Sequence, residues 1–373
     1  MKKAATISVI TVFLGFIGLF FALNLLTPER EFSEQENRYL QTLPSFSAKS
    51  LFAGDFTADF EKYTADQFIW RDWWTTLKAR CELLSGKKEN NGVYYCGDDT
   101  LITRFTAPEA AVLAENASYV NALTENVSAS VYLALIPGAA EVQSENLPPN
   151  APNGSQQAVI EAVYGESRAE NVDMLSPLAA HWDEYIFYRT DHHWTTLGAF
   201  YGSNALKSAW GLEEAGLDGF DRQTVSHEFY GTAYSSSGFS WVRPDDMEIF
   251  VPDDGSAVVT SYSSSVPEVT GLYDTSRLRE KDKYSMFLGG NTPRITIETG
   301  YCDKPSLCII RDSYADCLLP FLLDDFSRID LIDLRYYKSS LSEYINERQF
   351  DTVLVMYSVS NFCEDENLFL LSM

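Results

Sequence analysis

The sequence is poor in the residues that bind metals and nucleic acids. Histidine occurs four times in 373 residues, as His181, His192, His193 and His227. Six cysteines, Cys81, Cys96, Cys302, Cys308, Cys317 and Cys363, form no CxxC pair and no Cys/His cluster of zinc-binding spacing, so neither structural zinc nor any other metal is expected. Basic residues are outnumbered, 28 Lys and Arg against 53 Asp and Glu, giving a net charge of -25 and a pI near 4.4. Such a field repels phosphate backbones and excludes a nucleic-acid partner. It would also repel an acidic glycan unless a local basic patch received it. There is no internal repeat and no low-complexity tract. Apolar residues make up 45% of the chain and aromatic ones 14%, enough to bury the core of one large domain or two medium ones.

The clearest feature comes first. Met1-Lys2-Lys3 precedes an uncharged, mostly apolar run from Ala4 to Leu26, followed by Thr27-Pro28-Glu29-Arg30. At about 1.5 Å per residue the run can cross a bilayer as a helix. Lys2 and Lys3 predict a cytoplasmic N-terminus and an extracytoplasmic remainder. The alternative, a cleaved signal peptide, lacks a good small-x-small site near Ala22. Residues 1-27 are therefore read as cytoplasmic stub and transmembrane signal anchor, 28-50 as connector, and 51-373 as the main domain. Outside the membrane, Cys81 with Cys96 and Cys302 with Cys308 are the short-range disulfide options, with free buried thiols as the alternative.

Aromatic and apolar residues recur at helical spacing from Phe56 to Leu77, predicting one or two amphipathic helices ending near Gly86, with the aromatic stripe as core. The run from Val131 to Ile136, stopped by Pro137-Gly138, is what a buried parallel strand looks like. Val172 to Leu175 predicts the next strand. Residues 221-284, rich in Ser, Gly, Asp and Pro, read as an insertion of loops and short antiparallel strands. Strand-like runs at Ser306 to Ile310, Ile329 to Leu334 and Thr352 to Met356 then alternate with helical patterns near Cys317 to Phe326 and Ser339 to Arg348. The alternation predicts an α/β layer architecture.

A general base working near neutral pH is most often histidine. Two of the four lie in Tyr188-Arg189-Thr190-Asp191-His192-His193-Trp194-Thr195-Thr196. Asp191 and His193 cannot face each other in mid-helix, but in a loop entering a helix they can, and the carboxylate would then fix the imidazole tautomer. The alternative is that the histidines and Trp194 fill core and Asp191 caps a helix. The second feature is Leu307-Cys308-Ile309-Ile310-Arg311-Asp312-Ser313-Tyr314-Ala315, an apolar strand running into Asp-Ser and then a helical pattern. That turn would present Ser313 at the carboxyl end of a parallel strand, with helix N–H groups for an oxyanion. Together the two features supply a nucleophile, a base and an orienter.

These segments carry a resemblance. Asp-His-His-Trp at 191-194, Phe287-Leu288-Gly289-Gly290-Asn291, Arg311-Asp312-Ser313-Tyr314-Ala315 and Ile332-Asp333-Leu334-Arg335-Tyr336-Tyr337 resemble the bacterial DHHW family. Asn37-Arg38-x-Leu40, Phe60-Glu61-Lys62-Tyr63 and Asp66-Gln67-Phe68 also fit it. That family is similar in turn to the AlgX/AlgJ proteins of alginate O-acetylation. The resemblance implies an SGNH-hydrolase-like, flavodoxin-like parallel sheet sandwiched by helices, with permuted motif order and an insertion. It implies Asp191 as orienter, His193 as base and Ser313 as nucleophile, with His192 facing away towards the aromatic shell near Trp194. Asn291, Asn361, Gly290, Arg335, Tyr314 and Trp194 become oxyanion or substrate candidates. The family favours Asn directly after the Tyr at 357; here Ser358 stands, so Asn361 or Asn291 would substitute.

The function implied is O-acetyl transfer to a cell-surface or secreted polysaccharide, with a membrane-bound O-acyltransferase as donor partner and no cofactor. A carbohydrate esterase on the same fold and a non-catalytic glycan-binding or scaffold protein are the alternatives. A metal phosphoesterase would need more Asp and His in supporting motifs than the sequence offers.

Overall fold

The computed structural model describes residues 2-252, 257-263 and 266-373, so parts of the expected insertion, 253-256 and 264-265, lie outside the described residues. The chain forms two compact units, residues 1-91 with 234-241, and residues 92-233 with 242-373.

The first unit is helical. Helix α1 (Lys2–Leu26) contains a span, Ala5–Leu26, long and apolar enough to cross a membrane. A one-and-a-half-turn helix (Ala48–Ala53) ends at Gly54, whose φ of +89° reverses the chain into α2 (Asp55–Asp66). Helix α3 (Arg71–Leu84) follows a break at Trp70. The connector is clamped onto these helices by two of the sequence motifs. Arg38 binds Asp66 through both nitrogens, at 2.9 and 2.5 Å, and Gln67 donates to the carbonyls of Arg30 and Gln41. The Arg38 guanidinium holds the Asp66 carboxyl below its ordinary range. The aromatic stripe departs from expectation: Phe60, Phe68, Trp70 and Trp73 are all exposed rather than core.

The second unit is α/β. Besides the short antiparallel pair Val93–Tyr95 and Leu101–Thr103, its strands are β1 (Ser130–Ile136), β2 (Glu170–Val172), β3 (Phe220–Phe229), β4 (Asp245–Pro252), β5 (Val258–Ser261), β6 (Glu268–Thr270), β7 (Arg294–Glu298), β8 (Ser306–Arg311), β9 (Arg328–Ile332) and β10 (Thr352–Ser358). Eight of them make one mixed sheet in the order β6-β5-β7-β9-β8-β10-β1-β2. The five from β9 to β2 are parallel, and the other three extend the sheet antiparallel. Strands β3 and β4 form a separate hairpin.

Burial explains the apolar runs. Alternate residues of β1, β8 and β10 enter two different cores: Leu133, Ile310 and Val355 on one side, Ala134, Ile309 and Leu354 on the other. Helices α4 (Ala110–Asn126), α5 (Gln156–Glu166) and α7 (Leu341–Arg348) cover the first face. Helix α6 (Thr196–Ala209) and the β3-β4 hairpin cover the second. A strand buried on both faces has no polar side to show in its sequence.

Two expectations need correction. The run at Val172 to Leu175 ends as strand at Val172, because Asp173 accepts from the N–H groups of Leu175 and Ser176 and starts a short helix. The helix expected from Cys317 to Phe326 is two 3-10 turns, Ser313–Cys317 and Leu319–Phe321, interrupted at Leu318; Pro320, inside the second turn, has no N–H to give to an α-helical ladder. All six cysteines are free, with Cys96, Cys308 and Cys317 buried.

Candidate active site

The segment from Ile186 to Thr195 is a tight hairpin. Phe187 bridges Trp194, Tyr188 N–H donates to the His193 carbonyl at 3.2 Å, and Thr195 N–H to that of Ile186 at 2.9 Å. Thr195 then caps α6 through Gly198 N–H. The tip therefore carries Asp191 and His193 on one side. Asp191 Oδ1 accepts from His193 N–H at 2.9 Å and meets Nδ1 at 2.5 Å. His193 Nε2 lies 2.7 Å from Ser313 Oγ. Asp191 and His193 are buried, whereas Ser313 is half-buried and is the member of the set that solvent can reach.

Residues from the expected insertion support this chain. Asp191 Oδ2 accepts from Thr232 N–H at 2.7 Å and from its hydroxyl at 3.1 Å. Having given its one proton to Asp191, the Thr232 hydroxyl accepts from His192 Nδ1 at 2.6 Å, which assigns that tautomer. Asp245, wholly buried at the start of β4, accepts from the N–H groups of Arg189 and Thr190 and from the hydroxyls of Thr190 and Tyr185. The Tyr284 ring stacks on the His193 imidazole, 3.9 Å between centroids and 10° from parallel. Its hydroxyl donates to the Ser313 carbonyl at 3.1 Å. One aromatic side chain thus contacts both His193 and the backbone of Ser313. Burial opposes ionisation of Asp191, but the His192 and His193 rings and Thr232 N–H outweigh it and hold the carboxyl below its ordinary range.

The turn bearing Ser313 lies at the carboxyl edge of the parallel strands, where open α/β sheets place their sites. Asp312 fixes it, accepting from Tyr314 N–H, from Ser358 N–H at the end of β10, and from the Asn361 amide at 2.7 Å. Beneath it Arg311 and Asp316 form a buried pair at 2.8 Å. Burial pushes the Asp316 carboxyl up, to about 7, against the pull of Arg311.

The remaining expected site residues are spread differently. Trp194 and Tyr314 are buried lacing rather than substrate contacts: Trp194 Nε1 donates to the Tyr314 carbonyl and the Tyr314 hydroxyl to that of His192. His192 does not face away. Its ring lies beside that of His193, centroids 3.8 Å apart, because the hairpin tip bends rather than running extended. Asn291 accepts from Arg335, which is paired with Asp333, and Asn361 is committed to Asp312. Arg335 and Asn361 line a polar groove of about 370 Å³ shared with Asp312, Glu364 and Asn367. Gly290, with φ of +97°, ends the left-handed run that Leu288 and Gly289 begin. The short 3-10 turn after Ser313 supplies no long helix dipole for an oxyanion. Asp191, His192 and His193 bring three donor atoms within 4.8 Å of one another, but these atoms are turned onto each other, Thr232 and Ser313.

Gly231, Thr232, Asp245 and Tyr284 were not legible as site residues. They lie 38 to 93 positions from His193 or Asp191 in loop-like sequence, with no motif to mark them. Gly231 is the sharpest case, since a Cβ there would stand 2.2 Å from Asp191 Cβ and Oδ2. Gly231→Ala must displace the carboxylate by something on the order of 1 Å, a misplacement worth about 10² in rate. Turnover of an activated acetyl ester is expected to fall by at least that factor, with far-UV circular dichroism unchanged.

Residues 89-332 match the family model described as DHHW protein. Among solved structures, a DHHW family protein from Eubacterium siraeum is 26% identical with a TM-score of 0.66, covering 76% of this chain and 95% of its own. Bacillus cereus PatB1 with a sulfonyl adduct shares the fold at 17% identity and a TM-score of 0.65, over 75% of this chain and 98% of its own. The O-acetyltransferase domain of Pseudomonas putida AlgJ is a more distant likeness, 15% identical with a TM-score of 0.47, over 74% and 93%. No curated protein matches the chain.

Proposed function

The chain belongs to the DHHW protein family, and from that premise we propose that it is an extracytoplasmic O-acetyltransferase of a cell-surface polysaccharide, working through Ser313, His193 and Asp191. The observation that carries the reading is the unbroken chain from Asp191 Oδ1 through His193 to Ser313 Oγ, at 2.5 and 2.7 Å, with only its serine end open. In this reading the permuted SGNH order, Asp-x-His before Ser, follows from the family resemblance.

The steps follow from the atoms. Asp191 holds the Nδ1 proton, so Nε2 is free to take the hydroxyl proton as Ser313 Oγ attacks the donor's acyl carbon. The tetrahedral intermediate collapses when His193 returns that proton to the leaving oxygen, and the acyl group stays on Ser313. A sugar hydroxyl then gives its proton to Nε2 and attacks the ester, and the proton passes back to Ser313 as the acetylated sugar leaves. If water takes the place of the sugar, the same site is an esterase. The apolar N-terminal helix, read as an anchor, favours transfer because it would hold the domain beside a membrane-bound acyl donor.

PatB1 was solved with a sulfonyl adduct, the kind of electrophile that an activated serine hydroxyl captures. Intact-mass analysis after treatment with a sulfonyl fluoride is expected to give one addition, on the peptide containing Ser313, and none in Ser313→Ala. Labelling that persists in Ser313→Ala would refute the assignment, and an unreactive parent chain would favour the glycan-binding alternative.

A further inference from the structure

The first unit carries an apolar surface that its own core does not use. A groove of about 870 Å³ is lined by Phe21 and Leu25 of α1, by Phe60 and Phe68, and by Trp74 and Lys78 of α3. Beside it Trp70 and Trp73 stand 60% and 56% exposed. Trp70 has φ of +56°, a conformation uncommon for any residue but Gly and costly for a bulky one. That strain has a visible result, since it brings the indole edge-on to Phe20 of α1 while leaving most of its surface outside.

What covers this surface follows from where α1 is held. Its 22-residue span is about 33 Å long, close to the apolar thickness of a bilayer, so its last two turns lie in the outer leaflet. Those turns are where the other helices attach. Phe20 packs on Phe68, Trp70 and Trp74, and Asn24 Oδ1 accepts from Ile69 N–H at 2.7 Å. The start of α3 is therefore fixed at the depth of the membrane–water interface, where Trp and Tyr concentrate. Charge agrees: residues 48-88 carry seven basic against six acidic side chains in a chain whose net charge is -25. A segment relieved of its negative charge can approach anionic headgroups from which the rest of the chain is repelled.

We propose that this face is a membrane-docking surface: acyl chains of the outer leaflet fill the groove between α1, α2 and α3, and Trp70 and Trp73 sit at the headgroup boundary. The proposal rests on α1 being a membrane anchor. The test uses the full chain in phosphatidylcholine vesicles containing phosphatidylglycerol, with and without lipids brominated near the headgroup end of their acyl chains. Trp70→Phe and Trp73→Phe together are expected to remove most of the tryptophan emission that brominated lipid quenches, while iodide quenches the parent and the double variant alike. Sedimentation with the vesicles at alkaline pH separates the two premises. A chain that does not sediment overturns the anchor reading. A chain that sediments, but whose Trp70 and Trp73 emission is quenched by iodide and not by brominated lipid, overturns docking alone. Shielding from both quenchers would mean that a protein covers the face and would equally overturn the lipid assignment.

Discussion

Ser313→Ala is expected to turn over an activated acetyl ester on the order of 10⁶ more slowly than the parent chain, as in triads whose members act as a unit. The expectation follows from how little else at the site reacts. His193 Nε2 is directed at Ser313 Oγ, and Asp191 and Thr232 are spent on orientation. Removing the hydroxyl leaves a base with nothing to deprotonate. Stability should change little, because the turn is held by Asp312, Tyr284 and Trp194 through backbone atoms and ring contacts that a methyl side chain leaves in place. A single-turnover assay on protein of unchanged melting temperature checks both halves. A loss of tenfold or less would remove Ser313 from the mechanism.

The second large effect is that of Asp191→Asn, expected to cost about 10⁴ in turnover. An amide there would face Nδ1 with its own hydrogens and drive the proton to Nε2, where it blocks the serine. His193→Gln should lose at least the 10² to 10⁴ of general-base help. His192→Gln leaves the Asp191–His193–Ser313 contacts in place, removing only the bond to Thr232 and a neighbouring ring, and should cost less. The acid limb gives an independent reading. Asp191 has its pKa lowered in the folded chain, so its contribution to stability is present above the unfolded value of about 3.9 and is lost as pH falls below it. Asp191→Asn should therefore flatten the fall of melting temperature below about pH 4. An unchanged acid limb would mean that the carboxylate is not held as described.

How far the site could be read in advance depended on distance along the chain. Asp191 and His193 are two residues apart, and Ser313 sits at the end of an apolar run, so periodicity and spacing were enough to raise all three as candidates. The mostly parallel sheet was legible for the same reason, since β1, β8 and β10 are short apolar runs with abrupt ends. Thr232 and Tyr284 could not be read this way, because their roles depend on where a long, polar, loop-like segment returns across the sheet. The aromatic stripe of α2 and α3 misled because helical periodicity marks an apolar face without saying what lies against it. Pro320 was in plain view, yet apolar neighbours at helical spacing outweighed it. His192 was misjudged by assuming extended backbone at a hairpin tip that bends.

The position of β10 sets an order of events. It lies between β8, which delivers Ser313, and β1, yet it follows both in the chain. Until β10 is made, β8 and β1 have no partner on their facing edges, and Asp312 lacks the Ser358 amide that fixes the Ser313 turn. A chain emerging from its amino end must therefore carry two open, apolar strand edges until synthesis is nearly complete, a state prone to aggregation and to capture by chaperones. The turn that bears Ser313 can be completed only in the final closure of the sheet, so partly folded chains would lack the assembled site.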